Sequence, residues 1–258
     1  MSRTVLITGA SGSMGAAAVR SLASEGWDVI MACRNLEKGG RIRDRVLAEC
    51  PDASVELMRL DLASLASVRE FAAGLEGRRI DVLFNNAGTM SRSWALTEDG
   101  YENTFQVNCV APCLLMELLK ANIGKVVSMI SLTCAMVKVG ASYAGDSAAE
   151  FSQLGTYARA KLGLLLGTLD FSRRTGIPAS LSDPGIVNSN MIALGRWFDP
   201  LADIFFRPFI SSPEKGVSPA LRAIRSEESG LYFVGKKAKP VSRRFTEAEV
   251  PSILPLLH

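Results

Sequence analysis

Apolar residues gather in short unbroken runs, with longer stretches of helical period between them. The first run, Thr4–Thr8 (TVLIT), predicts a strand buried on both faces, and residues 15–26 follow as a helix. Asp28–Cys33 (DVIMAC) predicts a second strand, and residues 37–49 a charged helix. Residues 55–60 read as a third strand. Its helix starts near Ser64 and carries Val68, Phe71, Ala72 and Leu75. Residues 80–84 form a fourth strand, and a helix over 100–121 leads to a fifth at 125–130 (KVVSMI). A helix over 155–175 precedes a short sixth strand at 179–182, and Leu231–Val234 (LYFV) supplies a seventh.

Apolar strands alternating with helices of this length predict βαβ units around a parallel sheet covered on both faces. Right-handed crossovers then restrict the topology to a doubly wound, Rossmann-like α/β sheet of about seven strands. No repeat, low-complexity segment or linker divides the 258 residues, so residues 1–258 read as a single domain.

Composition narrows the picture. With 48% apolar residues the chain can bury a core without metal or disulfide support, and a net charge of +3 gives no reason to expect a nucleic-acid or membrane partner. The five cysteines, Cys33, Cys50, Cys109, Cys113 and Cys134, are odd in number and include no CxxC pair, which suits a reducing compartment. Cys109 and Cys113 read as small buried hydrophobes. The only histidine is His258, which leaves no His-based metal site and no Ser-His-Asp triad. A strand-like run begins almost at once, leaving no room for a signal peptide, and no apolar stretch reaches the roughly 18–20 residues that span a bilayer. The expectation is a soluble, cytoplasmic protein with no membrane span.

The first strand ends in Thr8-Gly9-Ala10-Ser11-Gly12-Ser13-Met14-Gly15 and a helix follows. Glycines at 9, 12 and 15 permit a tight turn whose N–H groups, with the positive end of the helix, suit a pyrophosphate. At the end of the second strand a carboxylate would bond ribose hydroxyls and repel a 2′-phosphate. This chain has Cys33-Arg34-Asn35 there, so Arg34 favours NADP(H) over NAD.

Tyr157 and Lys161 are four residues apart, which puts both on one face of a helix. A phenol is a poor acid–base group near neutrality, and a neighbouring ammonium is expected to lower its pKa. Alone, this spacing most often means a half-buried aromatic beside a snorkelling lysine. Ser131 after the fifth strand and Asn85-Asn86-Ala87-Gly88 after the fourth fall at the same carboxyl rim, where open α/β sheets bind ligands.

Taken together, the segments TGASGSMG at 8–15, LDL at 60–62, NNAG at 85–88, VNCVAP at 107–112, YARAK at 157–161 and DPGIVNS at 183–189 resemble the short-chain dehydrogenase/reductase family over essentially the whole chain. ACRNLEKG at 32–39, DLASLASVREFA at 61–72 and the late SSPEKGVSPAL segment resemble its retinol dehydrogenase and NADPH carbonyl reductase branch. The resemblance implies a catalytic set of Asn108, Ser131, Tyr157 and Lys161. Ser131 would orient a carbonyl and Tyr157 exchange the proton. Lys161 would hold the nicotinamide ribose, and Asn108 a water. Cofactor contacts are implied for Gly9, Ser11, Gly12, Ser13, Met14, Gly15 and Arg34, for Asp61 and Leu62 beside the adenine, and for Asn85, Ala87 and Gly88. Tyr157 and Lys161 belong to the same set, with Pro184, Gly185, Val187 and Ser189 on the nicotinamide side. The motif departs from the family where Gly12 and Ser13 stand, which would re-aim the pyrophosphate turn. Ser131 and Tyr157 are 157 − 131 = 26 residues apart, and that branch tends to carry a longer segment before the tyrosine.

Two regions stay open. Residues 189–212 contain Met191, Leu194, Trp197, Phe198, Phe205, Phe206 and Phe209, which suit either a lid over a lipophilic carbonyl or alcohol, with Met90 and Trp94 contributing, or packing against the core or a second copy. The basic stretch Lys236, Lys237, Lys239, Arg243 and Arg244 reads as a solvated surface. Two functions compete: an NADPH-linked oxidoreductase, and a dinucleotide-binding sensor without chemistry, which would need no paired tyrosine and serine.

Overall fold

The computed structural model describes residues 2–138, 147–185 and 212–248. Among the described residues, eight strands form one sheet: β1 (Thr4–Thr8), β2 (Asp28–Cys33), β3 (Val55–Arg59), β4 (Val82–Asn85), β5 (Val126–Met129), β6 (Ala179–Asp183), β7 (Leu231–Val234) and β8 (Lys237–Pro240). Their order is β3-β2-β1-β4-β5-β6-β7-β8. Every neighbouring pair is parallel except the last, in which β8 runs antiparallel to β7. The chain order reverses between β1 and β4, which is the doubly wound arrangement and leaves a crevice at the carboxyl ends of those strands.

The sheet has one strand more than the apolar runs predict. β8 is read as surface from its sequence, KAKP, and all four residues are exposed. It is nonetheless held by pairing on β7, and its lysines and proline suit an edge that must not recruit another strand. Arg222 keeps the turn between them in place, donating to the carbonyls of Gly235 at 2.6 Å and Lys236 at 3.0 Å.

Side chains alternate between two cores, as the period of a strand requires. Leu6, Ile30, Leu83, Val126 and Leu181 face one layer, which includes α3 (Leu65–Ala73), α5 (Ala111–Leu118) and α6 (Gln153–Thr175). Val5, Ile7, Met31, Phe84 and Val127 face the other, with α1 (Ser13–Ser24), α2 (Leu36–Glu49) and α7 (Pro213–Arg225). The helix read over 100–121 is shorter and broken in register. It consists of α4 (Asn103–Phe105), a π segment at Gln106–Val110 and then α5. A short helix, α8 (Arg243–Thr246), packs near the turn after β5, where Arg244 donates to the carbonyls of Ala135 and Val137. No helix among the described residues is long and apolar enough to cross a membrane.

Lys125, just before β5, is 8% exposed and donates to three carbonyls at the end of α7: Ala223 at 2.8 Å, Ser226 at 2.7 Å and Glu228 at 3.1 Å. It thereby satisfies helix-end acceptors that would otherwise be left unpaired. Burial lowers its pKa, so part of this gain is offset. Replacing Lys125 by Met is expected to cost about 2 kcal/mol of stability, measured by urea unfolding at neutral pH. An unchanged unfolding midpoint would show that the three carbonyls find other partners.

Candidate active site

A cleft of about 940 Å³ opens at the carboxyl rim and runs from α2 to Tyr157. At its centre is the turn after β1. Gly9 has φ +63, and a Cβ there would lie 2.8 Å from the Cα of Ala87; at Gly15 a Cβ would meet the Gly9 carbonyl oxygen. Glycine is thus required by backbone conformation at one position and by close approach at the other. Gly12 caps α1 without any side-chain hydrogen bond, so the first N–H groups of this 12-residue helix face the cleft. Ser11, Gly12, Ser13, Met14 and Gly15 all line it. Such a cradle, free of side chains and rich in donors, fits a pyrophosphate.

One end of the cleft is cationic. Arg34 follows β2, and Lys38 and Arg45 join it from α2, with Ile42 between them on the same helix face. Lys38 and Arg45 are missed by the glycine and strand-end signals, although their spacing from residue 38 to 45 is helical. Cys33 ends β2 with a thiol that burial holds above its usual pKa, so it adds no negative charge beside these cations. Asp61 and Leu62 line the opposite wall.

At the other end Tyr157, Lys161, Ser131, Pro184 and Gly185 line the same cleft. Tyr157 and Lys161 lie one turn apart on α6, with the Lys161 Nζ 5.9 Å from the centre of the phenol ring. Tyr157 is 8% exposed and Lys161 2%. The Lys161 ammonium donates to the Met129 carbonyl at 2.9 Å.

Electrostatically the pair differs from the sequence expectation. Burial pushes the Tyr157 phenol well above its ordinary range; Cys134 and Asp183 add to the rise, and the Ser131 hydroxyl opposes it through a hydrogen bond. The same burial pulls Lys161 down to about 8, against the influence of Cys134 and Cys109. Desolvation sets the direction of both shifts, because both charged forms pay for leaving water.

Two other expected site residues stand apart from the cleft lining. Asn85 does not wall the cleft: it ends β4, is 1% exposed, and its carboxamide is buried without a hydrogen-bond partner. Its side chain shares the sheet face of Leu83, two residues before it. Asn86, one residue past the strand, lines the cleft instead, with its Nδ2 donating to the Thr8 carbonyl at 2.8 Å. Asn108 is fully buried in the π segment, behind Gly88. Its Nδ2 donates to the carbonyls of Thr89 and Thr104, each at 2.7 Å, so it pegs the loop after β4. A Cβ on Gly88 would lie 2.8 Å from Asn108 Oδ1 and 3.4 Å from Lys161 Nζ, so this glycine lets the loop close over both. Ala87 and Gly88 line the cleft.

Met90, Leu132 and Leu154 add an apolar lining near Tyr157, with Leu132 55% and Leu154 47% exposed. Leu132 and Leu154 are absent from the sequence reading, and Trp94 does not line the cleft. Val187, Ser189 and nearly all of the segment read as a lid or packing element lie outside the described residues.

Because Lys161 falls from 10.5 when unfolded to about 8 when folded, the unfolded chain binds more protons between those values. The cost of burying the charge is therefore complete below about pH 8 and is relieved as pH rises toward about 10.5. From about pH 7.5 to pH 9.5 the wild type is expected to gain on the order of 2 kcal/mol of unfolding free energy relative to Lys161→Met. Parallel stability curves for the two proteins would contradict this.

The family model described as short chain dehydrogenase matches residues 3–193. Human retinol dehydrogenase 13 is 32% identical over 270 residues, covering 96% of this chain and 81% of that protein. The chicken (Gallus gallus) WW domain-containing oxidoreductase is also 32% identical, over 252 residues; the match takes in 90% of this chain but 61% of that protein's length. Among solved structures, an uncharacterised protein from Mycobacterium Paratuberculosis superposes with a TM-score of 0.76 at 29% identity, covering 99% of this chain and 91% of that one. With this match, the doubly wound sheet and the nucleotide cleft at its carboxyl rim, the chain belongs to the short-chain dehydrogenase family of nicotinamide-dependent oxidoreductases.

Proposed function

We propose that this protein is an NADPH-dependent reductase of bulky, apolar carbonyl compounds, with Tyr157 as the acid that protonates the carbonyl oxygen. The observation that carries this reading is the convergence of Tyr157, Ser131 and Lys161 at one end of a cleft whose other end holds three cations and no strand-end carboxylate. A sensor that only binds nucleotide has no use for a phenol and a hydroxyl hydrogen-bonded to each other beside an ammonium.

The cofactor, when bound, supplies the hydride. The chain's own residues do the rest. Ser13, Met14 and the N–H groups opening α1 hold the pyrophosphate; Arg34, Lys38 and Arg45 take the 2′-phosphate. Ala87, Gly88, Pro184 and Gly185 shape the nicotinamide end, with Lys161 on its ribose. Ser131 donates to the carbonyl oxygen and orients it toward Tyr157 Oη, which delivers the proton. The raised phenol pKa keeps that proton in place near neutrality, the state that reduction requires. Were an oxidised nicotinamide held at this end of the cleft, its positive charge would favour the phenolate, opposing the effect of burial.

Met90, Leu132 and Leu154 around the mouth support an apolar substrate, since a polar one would leave these side chains against water. The five free thiols support a reducing, cytoplasmic setting.

Two measurements test this. Tyr157→Phe is expected to lose turnover by about a hundredfold or more while NADPH binding stays within about threefold, read by reductase assay and cofactor fluorescence; retained turnover would leave only a nucleotide-binding protein. In the wild type, decanal is expected to be reduced with a higher kcat/KM than glyceraldehyde, and NADPH to bind more tightly than NADH. Arg34→Glu is expected to reverse the cofactor preference, and equal binding of the two cofactors by the wild type would remove Arg34 from its role.

A further inference from the structure

β3 is the edge of the sheet, so the turn that follows it has a neighbouring strand on one side only. That turn carries Asp61 and Leu62, which line the cleft opposite Arg34, Lys38 and Arg45. On its inner side the Leu60 N–H still donates to the Cys33 carbonyl of β2 at 3.0 Å. Past that bond the turn leaves the sheet, and two of its contacts are local. The Asp61 N–H donates to the Ser67 hydroxyl at 3.0 Å, and the Ala63 N–H donates to Asp61 Oδ1 at 3.0 Å.

Support from farther away comes from Gln106, which opens the π segment and is 0% exposed. Its Nε2 donates to the Leu62 carbonyl at 3.3 Å and to Asp99 Oδ2 at 2.7 Å. Its Oε1 accepts from the Thr97 hydroxyl at 2.5 Å. The two acceptors fix which end of the amide faces the turn, since a flipped carboxamide would set its oxygen against a carbonyl and a carboxylate. Asp99 Oδ2 also accepts from the N–H of Leu65, the first residue of α3, at 2.9 Å. Gln106 and Asp99 therefore grip the turn at Leu62 and Leu65 from a segment 44 residues further along the chain. Asn108, two residues on, ties the loop after β4 through the Thr89 carbonyl. The π segment thus sends one amide to each wall of the cleft.

The layout of the cleft sets what the Leu62 wall meets. Tyr157 and Lys161 stand at one end, the donor-rich turn after β1 at the centre, and the three cations at the other end. A dinucleotide with its nicotinamide at Tyr157 and its pyrophosphate on that turn carries its 2′-phosphoadenosine to the cations, opposite Asp61 and Leu62. We propose that Gln106 is a positioning residue for this adenosine half, because it holds Leu62 directly and Leu65 through Asp99. This rests on reading the cleft as an NADP(H) site. Gln106 does not line the cleft, so its contribution is to order the wall in advance. A wall already in place spares the cofactor the cost of ordering it on binding. The nicotinamide half faces the wall that Asn108 ties, and does not depend on Gln106.

The test is binding of NADPH and of 2′-phospho-ADP-ribose, which carries the adenosine half and no nicotinamide, to wild type, Gln106→Met and Asp99→Ala. Steady-state kinetics of decanal reduction accompany it. Gln106→Met keeps an unbranched side chain of similar length in the buried site and removes all three hydrogen bonds. Asp99→Ala, at a half-buried loop position, keeps Gln106 and removes the second anchor. Gln106→Met is expected to weaken both ligands by the same factor, about tenfold, and Asp99→Ala by a smaller common factor. KM for NADPH is expected to rise in step, with kcat lowered by less than about twofold. Should Gln106→Met fail to fold, Asp99→Ala decides alone. Affinities that stay at the wild-type value, or a loss for NADPH that 2′-phospho-ADP-ribose does not share, would overturn the proposal. So would a loss in kcat with KM unchanged. A wild type that binds neither ligand would instead overturn the cofactor reading beneath it.

Discussion

The candidate active site is organised around an ammonium kept almost entirely out of water. Lys161 gives a hydrogen bond to the Met129 carbonyl, and burial brings its pKa down to about 8. The same dryness pushes the phenol one turn away upward. Each group is held toward its neutral form by the environment it shares with the other, and neither cancels the cost for its neighbour. Any acid–base chemistry at this site would therefore be set less by the pair itself than by charges that come and go around it, such as that of an oxidised nicotinamide.

That environment comes from the sheet. β1, β4, β5 and β6 all end at one rim, so the turn after each delivers a different part of the cleft: the glycine turn, the Asn86–Met90 loop, Ser131 and the Pro184–Gly185 wall. Tyr157 and Lys161 approach from α6, whose apolar side packs against the same layer as Leu83 and Leu181. Small distortions complete the arrangement. The π segment turns Asn108 inward to tie the loop after β4, and Gly88 gives that loop room against Lys161.

Much of this is legible in the sequence because it depends on local pattern. Unbroken apolar runs such as TVLIT and DVIMAC announce strands buried on both faces, and glycines at 9, 12 and 15 announce a turn before a helix. β8 escapes because KAKP owes its place to pairing with β7 and carries no apolar signal. Asn85 and Asn86 are indistinguishable as letters, yet one residue of strand phase sends the first into the sheet face and the second into the cleft. Lys38 and Arg45 join Arg34 only once α2 is seen to lie along the groove. The Asp183–Tyr232 contact joins residues 49 apart across neighbouring strands, which no local reading can pair. The phenol pKa escapes a local reading for a related reason: helical spacing shows the ammonium is near, but burial is a property of the whole fold.

Desolvation dominates the Tyr157 phenol until a positive charge arrives beside it. Carbon NMR of protein labelled at tyrosine Cζ, titrated with and without NADP and assigned by subtraction of the Tyr157→Phe spectrum, reads this balance. The account predicts no ionisation of this phenol below about pH 10 in the free protein, and a titration at clearly lower pH once the oxidised cofactor is bound. A free-protein phenol that ionises below the ordinary tyrosine value, unmoved by the cofactor, would contradict it.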